Sequence, residues 1–188
     1  MVTARGFVQA VWESTFGAYR GLFFYMPVLL LVLPSLLLSG RSSRSLFGPW
    51  VAWPSIALFL FITSRTMWWG GWAYGPRHLT TVAVLLAYRG LPVIAETRWA
   101  KWPAILLVIV GSVQAIAVKS TFWYSLPTEV QHPFSELVIP ALLKGRFTDA
   151  QWPCALGLTP GQASLAFIVA YALAIFALSR FDRVHSLT

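Results

Sequence analysis

The chain has 188 residues, 57% hydrophobic and 11% charged, with ten Trp, a net charge of +8 and a mean hydropathy of +0.68. A soluble domain carries about 25% charged residues, so this composition excludes an ordinary water-soluble domain. The basic residues stand singly or in pairs at the ends of apolar runs, which excludes the basic stripe of a nucleic-acid binder and fits topology determinants.

Residues 1–20 come first. Phe7, Val8, Val11, Trp12, Phe16 and Tyr19 recur at helical spacing, with Arg5, Gln9, Glu13 and Arg20 between them. This pattern predicts an amphipathic helix lying in a membrane interface. The apolar run 21–38 follows and is long enough to cross the hydrocarbon. Pro27 and Pro34 inside it predict kinks, and Arg41 and Arg44 stop it. No cleavage signal follows, so a retained anchor is expected rather than a signal peptide.

A second, shorter span is expected over 50–64, with Pro54 early in it. A third, over 79–95, is interrupted by Arg89 and Gly90; an Arg at mid-membrane costs about 2.5–3.5 kcal/mol and must snorkel or face a protein interior. The fourth span is 102–118, with Gln114 as its polar group, and the fifth is 161–178. If all five cross, the pairs Arg41/Arg44, Arg98/Lys101 and Arg180/Arg183 share the cytoplasmic face. The expected fold is therefore all-α: a bundle of about five transmembrane helices over 21–183, an interfacial helix over 1–20, a long outer loop over 119–160 and a cytoplasmic tail at 184–188. The N-terminal helix, the loop before the third span and the 119–160 loop then lie outside.

Chemistry concentrates in Arg65-Thr-Met-Trp68-Trp69-Gly70-Gly71-Trp72-Ala-Tyr74-Gly75-Pro76-Arg77-His78. Trp and Tyr at a membrane edge serve as belt anchors. The other residues suggest more. Gly70 and Gly71 free the backbone for close approach. Gly75-Pro76 predicts a turn into a helix whose first residues are Arg77 and His78. A cation, a helix N-terminus and flat rings together suit an anionic ligand such as a phosphate. The expected phosphate-binding residues are Arg77, His78 and Arg65; Trp68, Trp69, Gly70, Gly71, Trp72 and Tyr74 would line the lipid or sugar. The 119–160 loop mixes Glu129, His132, Glu136, Lys144, Arg146, Asp149 and aromatic residues, as a head-group or carbohydrate surface would, or an ordinary solvated loop. Pro133 between Glu129 and Glu136 argues against a regular helix there.

The six acids are Glu13, Glu96, Glu129, Glu136, Asp149 and Asp182, no two of them within three residues. No paired-carboxylate, phosphate-loop or metal-ligand motif is formed, and the single Cys154 permits no internal disulfide. No metal or cofactor is expected.

Two strings carry a resemblance: Tyr19-Arg-Gly-Leu-Phe-Phe-Tyr-Met-Pro-Val-Leu-Leu30 and Trp69-Gly-Gly-Trp-Ala-Tyr-Gly-Pro-Arg-His-Leu79. With Leu156-Gly-Leu-Thr-Pro-Gly-Gln-Ala-Ser-Leu165, they are similar to the C-terminal half of bacterial GT-C-type membrane glycosyltransferases, the class of the protein mannosyltransferases and aminoarabinose transferases. The resemblance implies a bacterial inner-membrane protein that binds a polyprenyl-phosphate-linked sugar, its substrate, on the outer face. In that class the catalytic acid lies in an early outer loop, and no acid here matches it. The chain is thus expected to be the C-terminal portion of such an enzyme, completed by an N-terminal catalytic half or a partner subunit. The competing expectation is a non-catalytic membrane scaffold or lipid-binding subunit. A transporter would need paired polar residues within spans, and only Arg89 and Gln114 offer themselves.

Overall fold

The computed structural model describes residues 4–34, 48–70, 75–122 and 127–185; within them, the side chains at 4, 5, 48–50, 89, 91–93, 95, 96, 152 and 174–185 are outside the description. Every described element is helical. In chain order they are α1 (Ala4–Thr15), α2 (Leu22–Tyr25), a 3-10 turn (Pro27–Leu31), α3 (Gly48–Thr63), α4 (Thr80–Glu96), α5 (Lys101–Thr121), a π segment (Phe134–Val138) leading into α6 (Ile139–Leu143), and α7 (Pro160–His185).

The N-terminal helix forms but stops at Thr15. The Phe16 and Gly17 N–H groups both donate to the Trp12 carbonyl, and the Glu13 side chain occupies the space a Cβ on Gly17 would need. Val8, Trp12 and Phe16 remain exposed along one side while Ala10 and Ser14 are buried. That is the division expected of a helix with one apolar face available to lipid.

The run 21–38 is not one continuous helix. After α2 the chain turns at Met26 (φ −131°, ψ 65°), and Pro27 opens the 3-10 turn. Proline has no N–H to continue the ladder and its ring crowds the preceding turn, so the helix is broken rather than kinked. Residues 35–38, with Arg41 and Arg44, lie outside the described residues.

The backbone of the third apolar run is helical throughout. α4 is continuous through Arg89 and Gly90. A Cβ at Gly90 would overlap the Val32 side chain. The glycine lets the helix backbone approach the chain after the 3-10 turn. α3 likewise runs through Pro54.

A core of Leu22, Phe23, Leu29, Val32, Ile62, Leu79, Val82 and Leu86 joins α2, the 3-10 turn, α3 and α4. A smaller cluster of Ala117, Val118 and Val138, flanked by Phe122, Phe134 and Leu142, seats the 134–143 segment on the end of α5. Two tethers fix the rest of the 119–160 segment: the Thr148 N–H donates to the Ser120 carbonyl (2.8 Å), and Gln151 Nε2 donates to Ser164 Oγ (3.0 Å). Thr159 and Gln162 then cap α7 reciprocally, side chain to backbone N–H in each direction (3.4 and 3.0 Å). This is the T-x-x-Q capping box.

Among the described residues, one helix is long and apolar enough to cross a membrane: α5, with 21 residues and a mean hydropathy of 1.8 over its most apolar window. The apolar stretches Val51–Thr63, Phe134–Leu143 and Pro160–Leu173 are shorter. The count of five spans read from the sequence is thus not reached by helix length. α5 packs weakly against the protein: Trp102 is 76% exposed, and Leu106 and Val113 are exposed as well.

Candidate functional site

Tyr19 organises the end of the molecule from which α4 begins and at which α5 ends. Its hydroxyl donates to the Thr128 carbonyl (2.7 Å), 109 residues away. Its ring meets Trp68 edge-on at 5.9 Å, and Trp68 meets Trp69 in the same way at 5.9 Å and 87°. The Arg20 guanidinium lies 4.5 Å over the same Tyr19 ring and donates to the Tyr19 carbonyl (2.8 Å). Arg20 is 1% exposed. A buried cation is costly unless paired or hydrogen-bonded; here the Tyr19 ring face and carbonyl oxygen solvate it, and the Tyr25 hydroxyl adds a further bond. Burial pushes the Arg20 pKa below its usual value, with Tyr19 and Tyr25 opposing the shift.

The Tyr19 phenol is pushed upward, first by burial. Arg20 opposes that shift, and Glu129 and Glu13 add to it. Two of the six acids therefore lie close enough for their charge to act on Tyr19, one from α1 and one from the loop beyond α5. In the sequence no local acidic motif marks Glu13, and Tyr19 and Arg20 stand only in the amphipathic pattern of residues 1–20 and in a family-like string. Their role depends on contacts across the chain that no local pattern encodes.

The Trp-rich loop folds back on itself. Gly70 has φ +80°, a region L side chains avoid. A Cβ there would come within 3.1 Å of Arg77 Cγ and 3.2 Å of His78 Cδ2. Gly70 is thus where the loop's first limb meets its last, and it holds Arg77 and His78 against the segment that carries Trp68 and Trp69. Gly75, at φ +66°, faces the Tyr25 ring; a Cβ would sit 3.2 Å from Cγ. Pro76 then leads into a 3-10 turn over Arg77–Leu79, continuous with α4. Gly71, Trp72 and Tyr74 lie outside the described residues.

The structure thus brings Gly70, Arg77 and His78 together beside half-buried Trp68 and Trp69. Arg65 is close enough to act on His78: burial pushes the His78 pKa below its usual value, and the charges of Arg77 and Arg65 push it further in the same direction. Arg65, Arg77 and His78 are all exposed. One expectation changes. The Arg77 N–H donates to the Gly75 carbonyl (3.1 Å) and the Leu79 N–H to the Pro76 carbonyl (2.8 Å). Those two backbone donors are occupied within the turn and are not open to an anion.

An apolar cleft of about 540 Å³ starts at Thr80, whose hydroxyl donates to the Arg77 carbonyl (2.7 Å), and runs between the 3-10 turn, α4 and α5 past Pro27, Val84 and Val108 to Tyr171. A second cleft of about 630 Å³ continues from Tyr171 between α5 and α7 towards Lys119 and Gln151. Among the described residues no group of His, Cys, Asp and Glu side chains is placed to hold a metal ion. Comparison with family models, with curated proteins and with solved structures finds no match.

Proposed function

We propose that the chain is the C-terminal membrane portion of a GT-C-like glycosyltransferase, binding the phosphate of a polyprenyl-linked sugar donor on the outer face through Arg65, Arg77 and His78. One observation carries the reading: the Gly70 turn sets Arg77 and His78 against the segment of Trp68 and Trp69, Arg65 is close enough to act on His78, and Thr80, bonded to the Arg77 carbonyl, lines an apolar cleft. Charged hydrogen bonds would hold the phosphate, ring faces would lie along the sugar, and the isoprenoid would follow the cleft in the hydrocarbon.

In this reading the apolar helices form a bundle of about five membrane crossings, with the bilayer thinned and flanking residues snorkelling around the shorter ones. The protein is an integral protein of the bacterial inner membrane with a cytoplasmic C-terminus. Chemistry requires a catalytic acid from an N-terminal half or partner subunit. The contacts of Tyr19 with Trp68 and Thr128 support a common outer face for the three segments that carry them.

The test is binding of a polyprenyl phosphodiester sugar to the purified full chain in detergent. Arg65→Ala/Arg77→Ala should weaken it by about tenfold or more, as expected for lost hydrogen bonds to a charged group. A polyprenol without phosphate should bind equally to wild type and variant. Undiminished donor binding by the double variant sinks the proposal and favours the scaffold, in which Trp68 and Trp69 only anchor the protein at the interface.

A further inference from the structure

A separate cleft of about 370 Å³ lies between the end of α5 and the Phe134–Leu143 segment. Glu136, Lys144 and Arg146 line it, with Phe122 and Phe147 as aromatic walls. None of these residues belongs to the Arg77 loop. Its volume falls in the range of small-molecule sites, about 300–1,000 Å³.

We propose that this cleft binds the phosphoethanolamine head group of a zwitterionic phospholipid. Two cations and one anion line a single cavity. Lys144 and Arg146 suit a phosphodiester. Glu136 and the faces of Phe122 and Phe147 suit a primary ammonium. A head group carrying only negative charge would meet the Glu136 carboxylate and be disfavoured, so the same residues select the zwitterion.

The backbone sets the groups in place. The His132 N–H donates to Glu136 Oε1 (3.2 Å), which positions the carboxylate and leaves acceptor capacity, since a carboxylate accepts up to about four bonds. Gly145, at φ +62° with open space around its Cβ position, turns the chain between Lys144 and Arg146 so that both line the cleft. The segment that carries these residues is also apolar and outward: Leu143, next to Lys144, is 83% exposed, and Ile139 is exposed. Exposed apolar side chains on the same segment as paired cations, at the end of the membrane-length helix, suit the place where acyl chains and a head group part.

The experiment measures binding of short-chain phosphatidylethanolamine, short-chain phosphatidylglycerol and inorganic phosphate to the delipidated full chain in detergent. Wild type is expected to favour phosphatidylethanolamine over phosphatidylglycerol by about tenfold, with phosphate weaker than either. Lys144→Ala/Arg146→Ala should cut phosphatidylethanolamine binding by about tenfold or more. Glu136→Gln should erase the preference while retaining phosphatidylglycerol binding. Lys144→Ala/Arg146→Ala should leave binding of the polyprenyl phosphodiester sugar unchanged, which separates this site from the donor site. Equal binding of the two lipids by wild type would overturn the proposal. So would full phosphatidylethanolamine binding by the double variant, or free phosphate binding as tightly as the lipid. The substituted side chains are exposed, and helical content by circular dichroism confirms that each variant is folded.

Discussion

At the scale of single residues, the site depends on two glycines and one histidine. Gly75→Ala places a Cβ against the Tyr25 ring at φ +66° and is expected to destabilise the protein by about 1–3 kcal/mol, read as a lower thermal midpoint in detergent. His78 titrates below its usual range because burial and the neighbouring Arg77 and Arg65 oppose its charge. It is therefore neutral at pH 7, and protonation below its ordinary pKa of 6.5 adds positive charge to the cluster. In the ligand-free protein the unfolded state binds that proton more tightly, so the His78 contribution to stability is present at neutral pH and is lost as pH falls through its ordinary value. An anionic ligand reverses the preference. Affinity for a phosphodiester donor, whose own charge is constant in this range, should rise between pH 7 and pH 5, and His78→Gln should flatten the profile. A wild-type profile already flat over that range would remove His78 from the site. Arg20 belongs to this scale too: Arg20→Lys keeps the charge but loses the planar group over Tyr19, and the expected cost is about 1–3 kcal/mol in thermal unfolding.

At the scale of elements, the sequence was most legible where chemistry acts locally. Gly75-Pro76 announces the turn into α4. Pro133 argues against a regular helix from Glu129 to Glu136, and the chain is turn and bend up to residue 132 and a π segment from Phe134. Gly90 does not by its presence say what the backbone does there. A glycine can break a helix or let another backbone approach, and only the position of Val32 distinguishes the two. Gly90→Leu should therefore push α4 off Val32 and destabilise by about 1–3 kcal/mol as an overpacked contact. A thermal midpoint equal to wild type would show that the helices do not meet there. The run 21–38 misled because apolar length conceals a backbone break at Met26–Pro27. The Tyr19–Thr128 bond could not be read at all, since it closes a loop of 109 residues.

At the scale of the whole molecule, composition described the surface better than the span count. Trp53, Leu106, Val113, Leu165 and Leu173 are exposed on three different helices. Exposed apolar side chains of this kind would be covered by lipid in the proposed membrane setting. The orientation is checkable in a Cys154→Ser background. Ser135→Cys should react with an impermeant thiol reagent added outside intact cells, and Ser42→Cys only after the cytoplasmic face is opened. The reverse pattern would invert the topology and move the Arg77 cluster to the wrong side for an outer-face donor.

The central claim is that a lipid-linked phosphate rests among Arg65, Arg77 and His78 above the cleft that begins at Thr80. Its most direct measurement is photo-crosslinking of the full chain with a polyprenyl phosphate bearing a photoreactive group in its first isoprene unit, mapped by peptide mass spectrometry. The expected adducts fall within residues 65–84 and on the facing turn at 25–29, and excess unlabelled polyprenyl phosphate competes them away. Competed adducts confined to other segments, such as 134–147, would contradict the account.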